Sequence, residues 1–427
     1  MAPPGRVVFF FPHNPLPPSS GAHHRCLEML AGLRDLGAEV VFASATHTSE
    51  SAWTRASIES LRRDFGCDVQ VYKAGLFDRV YRGVARRVHR VMGQNLSIRS
   101  GFYTPPGMRR WFRTLTRRFA ADVVIVSYVF WDGLTRGTRS KGCRYVMDTI
   151  DLMAAQIAMR ERLRSRLPSS TLIDPAHIAD DVIDERFFAG IATPGLTSEF
   201  RIFDRYDCTI AITDAERDLI RDNSPRTKVT WIPITLTPAA RSSTCTGPAL
   251  FPTGPNPFNL QGYLYFVRRV LPVVLGRLPG FTLTVTGSVC DRVPGQEGVA
   301  LAGFVQDLGA VLATARFVVC PIMGLTGQQV KIVEAMAHGV PVIALRPAAV
   351  GSPIRHGING FIADDAEQFA EYVCTLWADA ELCRRMGEAA RETVAREFSH
   401  GRLVAGLAEA CGGALAPLTA SSSQAEA

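Results

Sequence analysis

Residues 317–345 read Phe-Val-Val-Cys-Pro-Ile-Met-Gly-Leu-Thr-Gly-Gln-Gln-Val-Lys-Ile-Val-Glu-Ala-Met-Ala-His-Gly-Val-Pro-Val-Ile-Ala-Leu. Phe317–Cys320 is a short apolar run of the kind that forms a strand covered on both faces, and Pro321 ends it. Gly324, Thr326 and Gly327 make a flexible loop at the strand's carboxyl end. Gln328–His338 is rich in helix formers, Gly339 closes the helix, and Val340–Leu345 starts a second strand. The pattern is a βαβ unit. Its loop delivers backbone N–H groups to a helix N-terminus, where a phosphate is favoured. Lys331 and Glu334 are three apart and share a face of that helix. A carboxylate there suits the two hydroxyls of a ribose; a solvated Lys–Glu pair has the same spacing.

The run Gly-Gln-Gln-Val-Lys-Ile-Val-Glu-Ala-Met-Ala-His-Gly-Val-Pro-Val-Ile resembles the nucleotide-sugar signature of GT-B glycosyltransferases, in the large retaining group often called family 4. The resemblance implies an α/β protein of two Rossmann-like doubly wound domains facing a cleft, with a C-terminal helix crossing back to the first domain. It assigns Glu334 to the donor's ribose, and Gly324, Thr326, Gly327, Gln328 and Lys331 to its diphosphate. Gly303-Phe304-Val305 is similar to the passage where backbone groups meet the nucleobase. Many members carry a second Glu eight residues before the first, near the sugar; here Thr326 stands there. Many also carry a His just before an Asp in the first domain; here Ile150 stands there.

Outward from this stretch, 427 residues suffice for two domains with their own cores, and 47% hydrophobic with 20% charged residues is a globular composition. No apolar run reaches the roughly 18–20 residues that span a bilayer. The N-terminal apolar run is too short for a signal peptide and reads as the first strand. The ten cysteines show no CxxC and no His/Cys cluster, which points to free thiols in a reducing compartment rather than to structural zinc. A net charge of +7 favours anionic partners: nucleotides, phospholipid surfaces or lipid-phosphate acceptors. No nucleic-acid-binding pattern appears.

Along the first half, Arg6–Phe11 is a strand, the proline-rich loop 13–21 follows, and Ala22–Leu36 is a helix. Strand, loop and helix again make a doubly wound opening. Resemblance assigns Ser20 and Gly21 to the donor phosphates and acceptor site. His23, His24 and Arg25 start the helix and are expected to face the same cleft, unless they are a plain exposed N-terminus. Residues 79–118 hold eleven arginines and no Asp or Glu, interleaved with Val, Trp, Phe and Leu. Such a stretch, with Arg109, Arg110, Arg117 and Arg118 at its end, suits an anionic membrane surface or a solvated basic face. Asp148 and Asp151 follow a strand, where carboxylates point into a ligand crevice or cap the next helix. They are the catalytic candidates, with Lys331.

The expected domains are 1–236, a polar linker 237–248, a nucleotide-sugar domain 249–396, a crossover helix 397–411 and a disordered tail 412–427. Residues 163–198 are expected to be a loop-rich insertion with a short helix near 177–189. The expected reaction moves a sugar from a nucleoside diphosphate sugar, UDP or GDP, to a hydroxyl acceptor with retention, in envelope or exopolysaccharide synthesis. It needs no cofactor: there is no Asp-x-Asp motif, and Lys331 with helix N–H groups offsets the diphosphate charge. The acceptor is lipid-linked, a glycan or a small molecule. The expected location is the cytoplasm, peripheral at the inner face of the membrane if the basic stretch meets lipid. The other readings are a nucleotide-sugar 2-epimerase and an inactive nucleotide-binding scaffold.

Overall fold

In a computed structural model, residues 5–47, 52–91, 101–137, 139–168, 172–193, 195–324 and 326–415 are described. The chain forms two compact units, each with one parallel sheet.

The first unit comprises residues 1–154, 194–235 and 400–427. Its strands are β1 (Arg6–Phe10), β2 (Glu39–Ala45), β3 (Asp68–Tyr72), β4 (Val123–Ser127), β5 (Arg144–Asp148), β6 (Cys208–Ala211) and β7 (Lys228–Trp231). They lie in the order β3-β2-β1-β4-β5-β6-β7. In register, Val7 pairs with Val40 on one side and Val123 on the other. Its helices are α1 (Gly21–Asp35), α2 (Arg55–Phe65), α3 (Leu76–Val91), α4 (Pro106–Arg118) and the start of α5 (Met153–Arg164), then α6 (Leu196–Phe203) and α7 (Asp214–Asn223). The central strands are buried along their length, as helices on both faces of a parallel sheet require.

The second unit comprises residues 155–193 and 236–399. Its strands β8 (Ala249–Pro252), β9 (Leu283–Thr286), β10 (Val299–Gly303), β11 (Val318–Cys320), β12 (Val342–Leu345) and β13 (Gly360–Ala363) lie in the order β10-β9-β8-β11-β12-β13. Its later helices are α8 (Pro257–Tyr265), α9 (Leu271–Arg277), α10 (Leu308–Leu312), α11 (Val330–Ala337), α12 (Arg346–Ala349), α13 (Ala366–Ala378) and α14 (Ala380–Glu397). The last helix, α15 (His400–Cys411), returns to the first unit. Its Leu403 and Leu407 pack so closely on Gly32 of α1 that a Cβ there would overlap both side chains. The expected crossover helix is therefore part of the first unit's core.

Three boundaries differ from the sequence reading. Residues 236–248 pack with the second unit; Ser243 donates to the carbonyl of Ala315 at 2.7 Å. Residues 155–193 also join the second unit, although they lie within the sequence of the first. Within them, the expected helix at 177–189 is replaced by short 3-10 turns at Pro175–His177 and Asp180–Ile183. In the expected tail, Gly412–Ala414 forms one more turn; residues 416–427 lie outside the described residues.

Candidate functional site

Each sheet reverses its strand order once, between β1 and β4 and between β8 and β11. Ligands of doubly wound proteins bind outside the carboxyl ends of the strands at such points. The signature stretch supplies the second of these.

There, β11 delivers the chain to a loop, and α11 begins at Val330 rather than Gln328. Ile332, Val333, Ala335 and Met336 of α11 are buried, which leaves Lys331 and Glu334 on the partly exposed side. Lys331 Nζ bonds to Asn259 Oδ1 and lies 5.1 Å from the centroid of the Phe251 ring. Asn259 is itself fixed, its Nδ2 donating to the carbonyl of Gly254 at 3.1 Å. Burial pushes the Lys331 ammonium down to about 8, and no carboxylate is its partner among the described residues. A lysine held this way gains stability from an anion. Thr326, in the position of the family's other Glu, has a buried hydroxyl with no hydrogen-bond partner. Gln328 donates from Nε2 to the carbonyl of Gly351 at 3.3 Å, and Gly327 takes a left-handed φ of 76°.

Gly324 is buried, and its loop is covered from an unexpected direction. A Cβ at Gly324 would overlap the Phe188 ring, which also packs edge-on to Phe258 at 5.7 Å. Phe188 comes from the 172–193 segment, which three side chains of the α8–α9 region hold in place. Gln261 Nε2 donates to the carbonyl of Val182 at 2.8 Å, and the Tyr265 hydroxyl to Glu185 at 2.6 Å. Arg268 donates to the carbonyls of Pro175 and Ile178 at 2.9 and 3.0 Å, and to Asp180. Arg268 is thus committed to this segment. Beside it, a cavity of about 460 Å³ opens at the carboxyl ends of β8 and β9, lined by Asn256, Leu260, Ser288, Arg164 and Arg292 among others. Of the residues expected near the base, Gly303 ends β10 with φ 66°, Val305 is partly exposed and Phe304 is 88% exposed.

The first unit's switch point is built differently. Ser20 is the N-cap of α1, its side chain accepting from the His23 N–H, and Gly21 is the first residue of the helix. His24 is exposed; His23 is the buried histidine, within 6.2 Å of the rings of both Phe11 and His13. Tyr128, at the end of β4, joins this cluster 6.4 Å from His13. The sequence reading did not single out His13 or Tyr128, which are near each other only because β1 and β4 are neighbours.

Two expectations need correction. Arg25 does not face a cleft: it is buried and donates from Nε and Nη2 to Asp148 Oδ1 at 2.9 and 2.7 Å, and from Nη1 to the carbonyl of Ile232. Asp148 is wholly buried, and its other oxygen accepts from the Ser127 hydroxyl at 3.0 Å. Both oxygens are occupied and neither reaches solvent, so Asp148 is a framework carboxylate rather than a catalytic one. Asp151 is also buried, next to Glu199. Glu199 begins α5 by accepting from the N–H groups of Met153 and Ala154, both at 2.9 Å. Burial, aided by the neighbouring Asp151 and opposed by those two bonds, raises the Glu199 carboxyl to about 7. Ile150, between the two aspartates, has a left-handed φ of 60°.

Among the four arginines at the end of the basic stretch, Arg110, Arg117 and Arg118 are exposed. Arg109 is partly buried and donates to the Thr104 carbonyl at 2.6 Å. Arg99 lies outside the described residues.

Residues 249–379 match the family model described as glycosyl transferases group 1. Over 75 residues the chain is 39% identical to N-acetyl-alpha-D-glucosaminyl L-malate synthase of Bacillus anthracis, a match covering 17% of this chain and 20% of that one. The chain thus spans about a fifth of that curated relative. Sucrose-phosphate synthase from Thermosynechococcus elongatus has the same fold, with a TM-score of 0.61 at 15% identity over 95% of this chain and 98% of that one. So does Anabaena HepE in complex with UDP and glucose, with a TM-score of 0.56 at 13% identity over 95% and 98%.

Proposed function

We propose that the chain, which matches the group 1 glycosyl transferases over residues 249–379, moves a sugar from a nucleoside diphosphate donor to a hydroxyl acceptor with retention. The observation that carries this reading is Lys331: a lysine with its pKa pushed down to about 8, without a carboxylate partner among the described residues, beside the N-terminal end of α11. An incoming diphosphate supplies the missing counter-charge. As the bond between sugar and diphosphate breaks, negative charge grows on the leaving phosphate, and Lys331 with the loop N–H groups stabilises it without a metal ion. The same phosphate accepts the proton of the attacking acceptor hydroxyl, so no separate general base is required. Glu334, one turn along α11, takes the ribose hydroxyls, and the Thr326 hydroxyl takes a polar group of the donor.

UDP is the first nucleotide to test, because HepE of the same fold is described with UDP and glucose. The acceptor class follows the sequence reading: a hydroxyl of a lipid-linked, glycan or small-molecule acceptor in envelope or exopolysaccharide synthesis.

A thermal-shift series with UDP, GDP, ADP, CMP and their sugars, run on wild type and Glu334→Ala, tests the donor site. Ligand that binds only the native state raises the melting temperature by mass action. One nucleoside diphosphate is expected to stabilise wild type, and to bind Glu334→Ala roughly 10- to 100-fold more weakly, the worth of a hydrogen bond to a charged group. Folded wild type that responds to no nucleotide would overturn the proposal. A nucleotide that binds while no acceptor is ever glycosylated would leave the scaffold reading in its place.

A further inference from the structure

Two helices divide the arginine-rich stretch, and they bury opposite amounts of apolar surface. α4 turns Met108, Phe112 and Thr116 inward, with Phe112 edge-on to Phe10 at 5.9 Å. It is an ordinary amphipathic helix with Arg110, Arg117 and Arg118 in solvent. α3 is the reverse. Leu76, Phe77, Val80, Val84, Val88 and Val91 are 79, 70, 57, 58, 47 and 80% exposed. From Phe77 the spacing runs three, four, four, three, which sets these side chains in one stripe. Monomeric soluble proteins seldom leave such a contiguous apolar face in water.

The polar residues of α3 show what covers the stripe. Its only acidic residue, Asp78, is buried at 2% exposure, where it accepts from the Tyr72 hydroxyl and from the Gly107 N–H at 3.0 Å. Arg82 also turns inward, 4.7 Å from the Phe102 ring. The outward side therefore carries valines, leucine and phenylalanine with the exposed cations Arg79 and Arg87, and no carboxylate. The sequence holds no Asp or Glu from 79 to 118, so α4 adds none.

We propose that α3 docks the protein on an anionic lipid surface, lying in the plane of the membrane. The stripe enters the boundary between headgroups and acyl chains, and Arg79 and Arg87 meet the lipid phosphates. At 16 residues the helix offers about 24 Å of contact. A second copy of α3 fits this face less well, because a two-fold contact would set the arginines of each copy near those of the other, with no carboxylate to pair them. Among the described residues no helix is long and apolar enough to cross a membrane, so docking is on the surface. Vesicle binding by α3 requires nothing of the nucleotide site.

The experiment is co-sedimentation of the full chain with vesicles of phosphatidylcholine alone and of phosphatidylcholine mixed with phosphatidylglycerol. Wild type is expected to pellet with the mixed vesicles, less so as salt is added. Val80→Glu with Val84→Glu, at exposed positions, is expected to lower that partitioning at least about tenfold. Arg79→Glu with Arg87→Glu is expected to remove the preference for phosphatidylglycerol. Both variants should keep the wild-type melting temperature and nucleotide response. Wild type that stays in the supernatant with both vesicles overturns the proposal, as does a valine double variant that pellets like wild type. A wild-type dimer that ignores vesicles and that Val80→Glu with Val84→Glu dissociates would assign the stripe to a second copy instead.

Discussion

The two strand–loop–helix passages, β1–α1 and β11–α11, start from the same pattern and use their cations in opposite ways. In β1–α1 the helix turns Arg25 into the core, where Asp148 and the Ile232 carbonyl complete its partners. In β11–α11 the helix keeps Lys331 at the edge of the core, bonded to a neutral amide and, among the described residues, to no carboxylate. A buried charge with a full set of partners is part of the scaffold. A partly buried lysine with a depressed pKa and no counter-ion is poised for an anion. The polar pattern around the two loops does not separate these cases; the partners do.

The largest effect that tests this contrast is on stability. Arg25→Ala leaves Asp148 buried without its cation and is expected to cost about 3–5 kcal/mol. Lys331→Met removes an unpaired cation and is expected to leave stability unchanged or higher. Urea unfolding of the two variants measures both. Equal losses at the two positions would mean that Lys331 is scaffold as well.

The next effect is local to the donor loop. Gly324→Ala drives a methyl group into the Phe188 ring, and overpacking of this kind costs about 1–3 kcal/mol. Phe188→Ala in the same chain is expected to recover most of that loss, a coupling that a double-mutant cycle reads directly. Additive losses would show that the ring moves away freely and that the 172–193 segment is not seated on the loop.

These positions also mark how far the sequence carried. The strand, loop and helix of the signature stretch were legible because the pattern is local: β11, one loop and α11 carry Thr326, Gly327, Lys331 and Glu334 within nine residues. The two-sheet architecture was legible for a related reason, since continuous apolar runs ended by glycine and proline announce buried parallel strands. Asp148 was misread because its partners, Arg25 and Ser127, lie 123 and 21 residues away in sequence. Its position at a strand's end fits a catalytic and a structural carboxylate equally. Asn259, the partner of Lys331, and Phe188, the cover of Gly324, were missed for the same reason. The arginine stretch was read as one unit because composition does not tell a helix that docks through its apolar side from one that leaves that side bare.

The Lys331 contrast has a pH signature. With its pKa near 8 in the free protein, Lys331 is charged below that pH and neutral above it. A bound diphosphate raises the value, so affinity is flat below about pH 8 and falls above it, by up to about tenfold per pH unit until the bound-state value is passed. Calorimetry in buffers of different ionisation heat should record proton uptake on binding near pH 8, and Lys331→Met should abolish it. In the unliganded protein the sign is opposite. Between about 8 and the ordinary 10.5 the unfolded chain holds the proton that the folded one has released, so stability rises with pH across that window. Affinity that is level from pH 7 to pH 9 would take Lys331 away from the diphosphate.

The smallest effect concerns the left-handed residue near each loop. The second unit uses Gly327 at φ 76°, where a side chain would be strained; the first uses Ile150 at φ 60°, a β-branched residue in that same region. A left-handed conformation costs a residue with a Cβ about 1–2 kcal/mol, and glycine almost none. Ile150 is only partly buried, so removing its side chain forfeits little packing. Ile150→Gly is therefore expected to raise stability by about 1 kcal/mol, seen as a higher urea midpoint at unchanged slope, while Gly327→Ala lowers it by a similar amount. A loss of stability in Ile150→Gly would mean that contacts made by the isoleucine hold the turn between Asp148 and Asp151 more strongly than its backbone strain opposes it. The bend would then be held by side-chain packing in the first unit and by glycine in the second.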